Sequence, residues 1–132
     1  MDMVVDASVF IAAIANEPER DTLVELTRAA DLIAPHSVHW EIGNAFSAML
    51  RRERITLASA LKAFEIYGRI PIRFVDVELD ESLEIARVLG SYAYDAYLIR
   101  CALKYRSPLI SLDRKLVEPA KQMKAAVIEV TG

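Results

Sequence analysis

The sequence is poor in the residues that commit a chain to a special class. It has a single cysteine, Cys101, which excludes a disulfide framework and any multi-cysteine zinc site. Four Gly and five Pro exclude fibrous and low-complexity classes. The two histidines, His36 and His39, lie three residues apart near Glu41, but no third His or Cys ligand accompanies them, so cap or surface roles are expected. No apolar run approaches the roughly 20 residues that a membrane span needs. The opening MDMVVDASVF has no basic n-region and carries Asp2 and Asp6, so no secretory signal is expected there. What is present is 132 residues, 54% of them hydrophobic and 27% charged. That is the length of one domain with material for a real core, and 1–132 is expected to be a single cytoplasmic domain.

Sixteen basic and nineteen acidic residues leave a net charge of −3. A protein that coats nucleic acid over a broad face is usually basic, so that role is excluded. An enzyme that spends its acids on a metal is not. Basic residues gather at Arg51, Arg52 and Arg54, at Arg69 and Arg73, and at Lys104, Arg106, Arg114 and Lys115. Such groups read as solvated helix faces.

Along the chain, Met3-Val4-Val5 ended by Asp6, then Ser8 and an Ala-rich stretch, reads as strand, turn and helix. Leu23, Leu26 and Ala30 predict a second helix over 20–30. Leu32–Pro35 predicts a strand. A helix from Ser37 to Arg51-Arg52 follows, with Trp40, Ala45, Met49 and Leu50 as its apolar positions. Thr56 is placed to cap a fourth helix whose buried side is Leu57, Leu61 and Phe64. Strands are predicted at 72–75, 109–112 and 127–130. Between them lie a helix capped by Asp80 and stopped by Gly90, and a strongly apolar helix opened by Asp95. In that helix Leu98, Cys101, Ala102 and Tyr105 recur at helical spacing, which makes Cys101 a core thiol. Strands interleaved with helices predict an α/β sandwich with a mainly parallel sheet.

Function in open α/β sheets gathers at the carboxyl ends of the strands. Asp6 and Asp113 each follow an apolar strand, Asp95 opens a buried helix, and Glu41 lies in the first turn of another. Each acid alone has an ordinary explanation as a helix cap or as a partner of the helix dipole. Asp6 and Glu41 are the hardest to explain that way, because a buried carboxylate needs a partner and neither has a Lys or Arg beside it in sequence. Two bare carboxylates about 4 Å apart repel by roughly 4 kcal/mol at an effective dielectric near 20. If all four converge, a divalent cation is the simplest neutraliser, and an all-oxygen site suits Mg2+ or Mn2+. Ser8 and Asn44 are neutral oxygen donors beside Asp6 and Glu41, and Asn44 lies three residues after Glu41 on the same helix. Such a site points to phosphoryl chemistry.

The segments VVDASVF, WEIGNAF and YDAYLIRCALKYRSPLISLDRKL resemble a PIN-domain protein of the VapC toxin type, from Asp2 to about Val130. The resemblance implies a PIN-like three-layer α/β/α fold with a central, mainly parallel sheet. It implies a Mg2+-dependent endoribonuclease, with Mn2+ as a substitute, that acts as the toxin of a toxin–antitoxin pair. Asp6, Glu41, Asp95 and Asp113 match the family's acidic metal-binding positions. Ser8 and Asn44 match its supporting polar positions, and Ser111 stands where Thr is common. An RNA substrate and a small VapB-like antitoxin are the implied partners. The apolar stripe around Leu57, Leu61 and Phe64 adds the expectation of a homodimer.

Three rival readings are weaker. A haloacid-dehalogenase-like phosphatase needs a second Asp two residues after the first, where Ser8 stands. A phospho-receiver domain has no use for Glu41. A Ser–His–Asp hydrolase lacks a G-x-S-x-G elbow around Ser8. A non-enzymatic PIN-like binding module would have lost one or more of the acids, and this chain keeps all four.

Overall fold

The computed structural model describes residues 1–130. Its elements run β1 (Asp2–Val5), α1 (Ala7–Ile14), α2 (Arg20–Thr27), β2 (Asp31–Pro35), α3 (Ser37–Arg51), α4 (Leu57–Tyr67), β3 (Ile72–Val75), α5 (Leu79–Leu89), α6 (Ala93–Lys104), β4 (Leu109–Ile110), α7 (Arg114–Gln122) and β5 (Val127–Ile128). The five strands form one sheet in the order β3-β2-β1-β4-β5. Every pairing is parallel. The mixed α/β class and the parallel sheet are those the sequence predicts.

Central position explains why β1 is apolar throughout its second half. Met3, Val4 and Val5 are all buried, as expected for a parallel strand covered on both faces. The chain steps outward from β1 to β2 and β3, then crosses back to β4 and β5. With right-handed crossovers, that reversal puts α1–α4 on one face and α5–α7 on the other. The packing agrees: α1 lies against α2, α3 and α4, and α5 lies against α6. The reversal falls between β1 and β4, and the carboxyl ends of strands at such a reversal are where open α/β sheets bind their ligands. Among the described residues no helix is long and apolar enough to cross a membrane.

Thr56 caps α4 as predicted, accepting the Ser59 N–H at 3.1 Å. Gly90 ends α5 in the left-handed region at φ 64°, where a Cβ would be strained. Cys101 is buried, as predicted.

Several faces and ends differ from the sequence reading. Trp40 is exposed, because the buried stripe of α3 runs through Val38, Ile42 and Phe46 and Trp40 lies opposite. On α4 the close approach is made by Ala60 and Ala63, with Phe64 edge-on to Phe46, so Leu57 and Leu61 point outward. Leu26, Leu83 and Val88 are exposed as well. The second helix stops at Thr27. Asp80 does not cap α5: the N-cap is Glu78, and Asp80 accepts the neighbouring Glu81 N–H from within the first turn. Glu78 instead binds Lys104 at 2.9 Å and Arg100 at 3.0 Å, tying the start of α5 to α6. These two cations hold its carboxyl down at about 2. The last strand stops at Ile128 because β4 offers it only two partners, Leu109 and Ile110.

Candidate active site

Asp6 is the first residue beyond β1 and occupies the N-cap position of α1, yet its side chain does not cap the helix. The carboxylate is turned to two hydroxyls. Ser8 Oγ donates to Oδ1 at 2.6 Å, and Ser111 Oγ donates to Oδ2 at 2.9 Å. Each hydroxyl in turn accepts a backbone N–H from the loop after β4, Leu112 to Ser8 at 3.0 Å and Asp113 to Ser111 at 2.9 Å. The same bonds end β4 early. The chain leaves the sheet at Ser111 because the next two N–H groups go to side chains rather than to a strand.

Glu41 enters from the first turns of α3. Its Oε1 is buried and has no hydrogen-bond partner. Asp95 lies in the first turn of α6, which starts at Ala93 with Tyr92 as N-cap, two residues earlier than the sequence suggests. Asp113 caps α7, and its Oδ1 accepts the Lys115 N–H at 3.0 Å. Asn44 is exposed, one turn beyond Glu41.

Asp6, Glu41 and Asp95 each respond to burial and to acidic neighbours. Burial pushes Glu41 up to about 7, and the charges of Asp6, Asp95 and Asp113 add to that rise. Burial raises Asp6 to about 6, partly offset by the two serine hydroxyls, with Asp113 adding a further rise. Asp95 is raised by burial and by Asp113. A buried carboxyl with acidic neighbours holds its proton longer. Among the described residues no three of these side chains close into a ready-made coordination shell. The charges of Asp6, Asp95 and Asp113 all act on Glu41, so the four lie near one another without forming that shell.

The donor set suits a hard divalent cation. It offers carboxylate oxygens from four segments and hydroxyls that already order one of them. It also offers a buried Glu41 oxygen with nothing to bind. The histidines stand apart from this set. His36 pairs with Asp76 at 3.2 Å and His39 with the Tyr67 hydroxyl at 3.1 Å. The sequence reading passed over Ser37, whose hydroxyl is also buried without a partner. Its signal was the four-residue spacing to Glu41, which puts both on one face of α3.

The PIN-domain family matches residues 3–122. The chain belongs to the PIN-domain family. Within it, the chain is 30% identical over 115 residues to VapC ribonuclease Mb0985 of Mycobacterium bovis, covering 86% of this chain and 87% of that protein. Among solved structures, PAE2754 from Pyrobaculum aerophilum superposes with a TM-score of 0.74 at 25% identity, covering 98% of this chain and 92% of the other. VapBC2 from Rickettsia felis, solved bound to a DNA fragment from its promoter, superposes with a TM-score of 0.67 at 14% identity, covering 98% of each chain. This PIN domain is therefore VapC-like in sequence as well as in fold.

Proposed function

We propose that this PIN domain is a Mg2+-dependent endoribonuclease and the toxin of a VapBC-type toxin–antitoxin pair. The observation that carries the reading is the buried, unpartnered Oε1 of Glu41, a carboxyl raised first by burial and then by the charges of Asp6, Asp95 and Asp113. The VapC ribonuclease named among its relatives supports the choice of RNA.

Asp6 and Asp95 would hold the cation, with Mn2+ able to replace Mg2+. When bound, that cation supplies a Lewis acid that polarises a non-bridging phosphate oxygen and lowers the pKa of an attacking water. Ser8 and Ser111 fix both oxygens of Asp6, so its geometry is set before substrate arrives. The unpartnered Oε1 of Glu41 would accept a proton from the attacking water. Asp113 Oδ1 caps its own helix, and its other oxygen would be the one to complete the shell or orient the water. The products would carry a 5′-phosphate and a 3′-hydroxyl. Cleavage of a structured RNA by wild type and by Asp95→Asn, with and without EDTA, tests this. Loss of activity in the variant and in EDTA is expected; equal, EDTA-insensitive cleavage by both overturns the reading.

A VapB-like antitoxin is the proposed partner, and the VapBC2 relative in fold supports it. A basic side chain of that partner would offset the acidic crevice. Co-expression should capture a small basic-tailed protein, and its absence overturns this part alone. The outward-facing Leu57 and Leu61 support a homodimer. A strict monomer at high micromolar concentration in sedimentation would exclude it.

A further inference from the structure

Among the described residues the large aromatic side chains that stand in water are Trp40, Tyr92 and Tyr94, at 69%, 88% and 50% exposure. A scattered exposed aromatic needs no explanation. These are not scattered. Trp40 immediately precedes Glu41, Tyr94 immediately precedes Asp95, and Tyr92 is the N-cap of the same helix as Asp95. Beyond Met1, the exposed large aliphatic residues lie instead on α2, α4 and α5.

The rings are also braced. Trp40 meets His39 edge to face at 4.8 Å and 82°. His39 is held in turn by the Tyr67 hydroxyl at 3.1 Å and by the Phe74 ring at 5.8 Å. Tyr94 meets Tyr97 edge to face at 6.2 Å. Helices α3 and α6 lie on opposite faces of the sheet, so Trp40 and Tyr94 are carried on its two sides, each one residue before an acid of the candidate site.

We propose that Trp40 and Tyr94 are stacking platforms for the unpaired nucleobases on either side of the phosphodiester presented to the carboxylates. The proposal rests on the ribonuclease reading and names what that site grips. Every base offers a π-face, so stacking binds single-stranded RNA with little regard to sequence, and a base locked in a duplex cannot reach an aromatic ring in this way. Stacking also suits a protein of net charge −3, which has little surplus cation with which to hold phosphates.

Trp40 is the only tryptophan, so its emission reports the platform directly. The probe is a short oligoadenylate in Ca2+ buffer, compared with an abasic oligomer carrying the same number of phosphates. The oligoadenylate is expected to quench Trp40 and the abasic oligomer to leave it bright. By anisotropy with labelled oligoadenylate, Trp40→Ala and Tyr94→Ala should each weaken binding about tenfold, with Trp40→Phe near wild type. In cleavage, Trp40→Ala should raise KM about tenfold with kcat little changed, the mark of lost uniform binding. Both rings lie at the surface, so the alanine variants should melt like wild type. Equal quenching by the abasic oligomer, or wild-type affinity in both alanine variants, overturns the proposal. So does emission that ignores RNA but becomes shielded as protein concentration rises, because the ring would then belong to a protein contact. Base-dependent quenching without cleavage would sink the ribonuclease reading and leave the platforms standing. Cleavage without quenching would do the reverse.

Discussion

Ser111 donates its hydroxyl to Asp6 Oδ2 at 2.9 Å, joining two residues 105 positions apart in the chain. Ser111 Oγ itself accepts the Asp113 N–H at 2.9 Å, so one hydroxyl fixes a carboxylate and the turn that carries another.

Ser111→Ala removes both bonds. A hydrogen bond to a charged group contributes about 1.5–3 kcal/mol. The hydroxyl favours the ionised form of Asp6, so its loss should raise that carboxyl above its present value of about 6. Urea unfolding is expected to show the larger loss near pH 8, where Asp6 is ionised, and a smaller one near pH 5. Ser111→Thr should stay close to wild type. An equal loss at both pH values would show that the bond does not act through Asp6.

Glu41 gives the metal-free protein an inverted pH response. Its carboxyl rises from 4.5 to about 7 and that of Asp6 from 3.8 to about 6. Between those limits the folded state keeps protons that the unfolded state has released, so stability falls as pH rises from about 4 to about 7. Glu41→Gln removes the larger part of that fall. Thermal melts in EDTA should show the variant more stable than wild type near pH 8, by a few kcal/mol, and no different near pH 4. A flat wild-type profile would mean that Glu41 and Asp6 do not sit in the buried, acid-neighboured surroundings described.

Cation binding should reverse the same penalty. A ligand at a hundredfold excess over its Kd stabilises by roughly 2.7 kcal/mol. Mn2+ or Mg2+ should therefore raise the Tm of wild type near neutral pH and leave Asp6→Asn unmoved. A shift of the same size in both would place the ion elsewhere.

Cys101 offers a control far from this chemistry. It is buried, and burial pushes its thiol up to about 12. Iodoacetamide should modify it only after unfolding and leave native activity intact. Cys101→Ala should cost about 1–2 kcal/mol through a small cavity. Rapid native labelling would contradict the packing of α6.

Much of this was legible because local chemistry repeats the global plan. Val4-Val5-Asp6 reads as a buried strand with an acid at its exit, and the structure has that strand at the centre of the sheet. Thr56 and Gly90 act as punctuation in the way their types predict. The faces of α3 and α4 were less legible. Trp40 and Leu57 are apolar, and hydropathy alone does not say which of two apolar stripes a neighbour covers. Small residues decided it on α4, where Ala60 and Ala63 allow the close approach that leucine blocks. The serine relay was out of reach for a different reason. Ser8 and Ser111 become partners of one carboxylate only when β1 and β4 lie side by side, and nothing local in either segment announces that pairing.

The order of the four acids along the polypeptide has a consequence for its synthesis. The acids sit at positions 6, 41, 95 and 113, and the hydroxyl that steadies the first is at 111. No truncated product ending before Asp113 carries the whole pocket. A polypeptide still emerging from the ribosome would thus lack the full set of acids until the cap of α7 has been made.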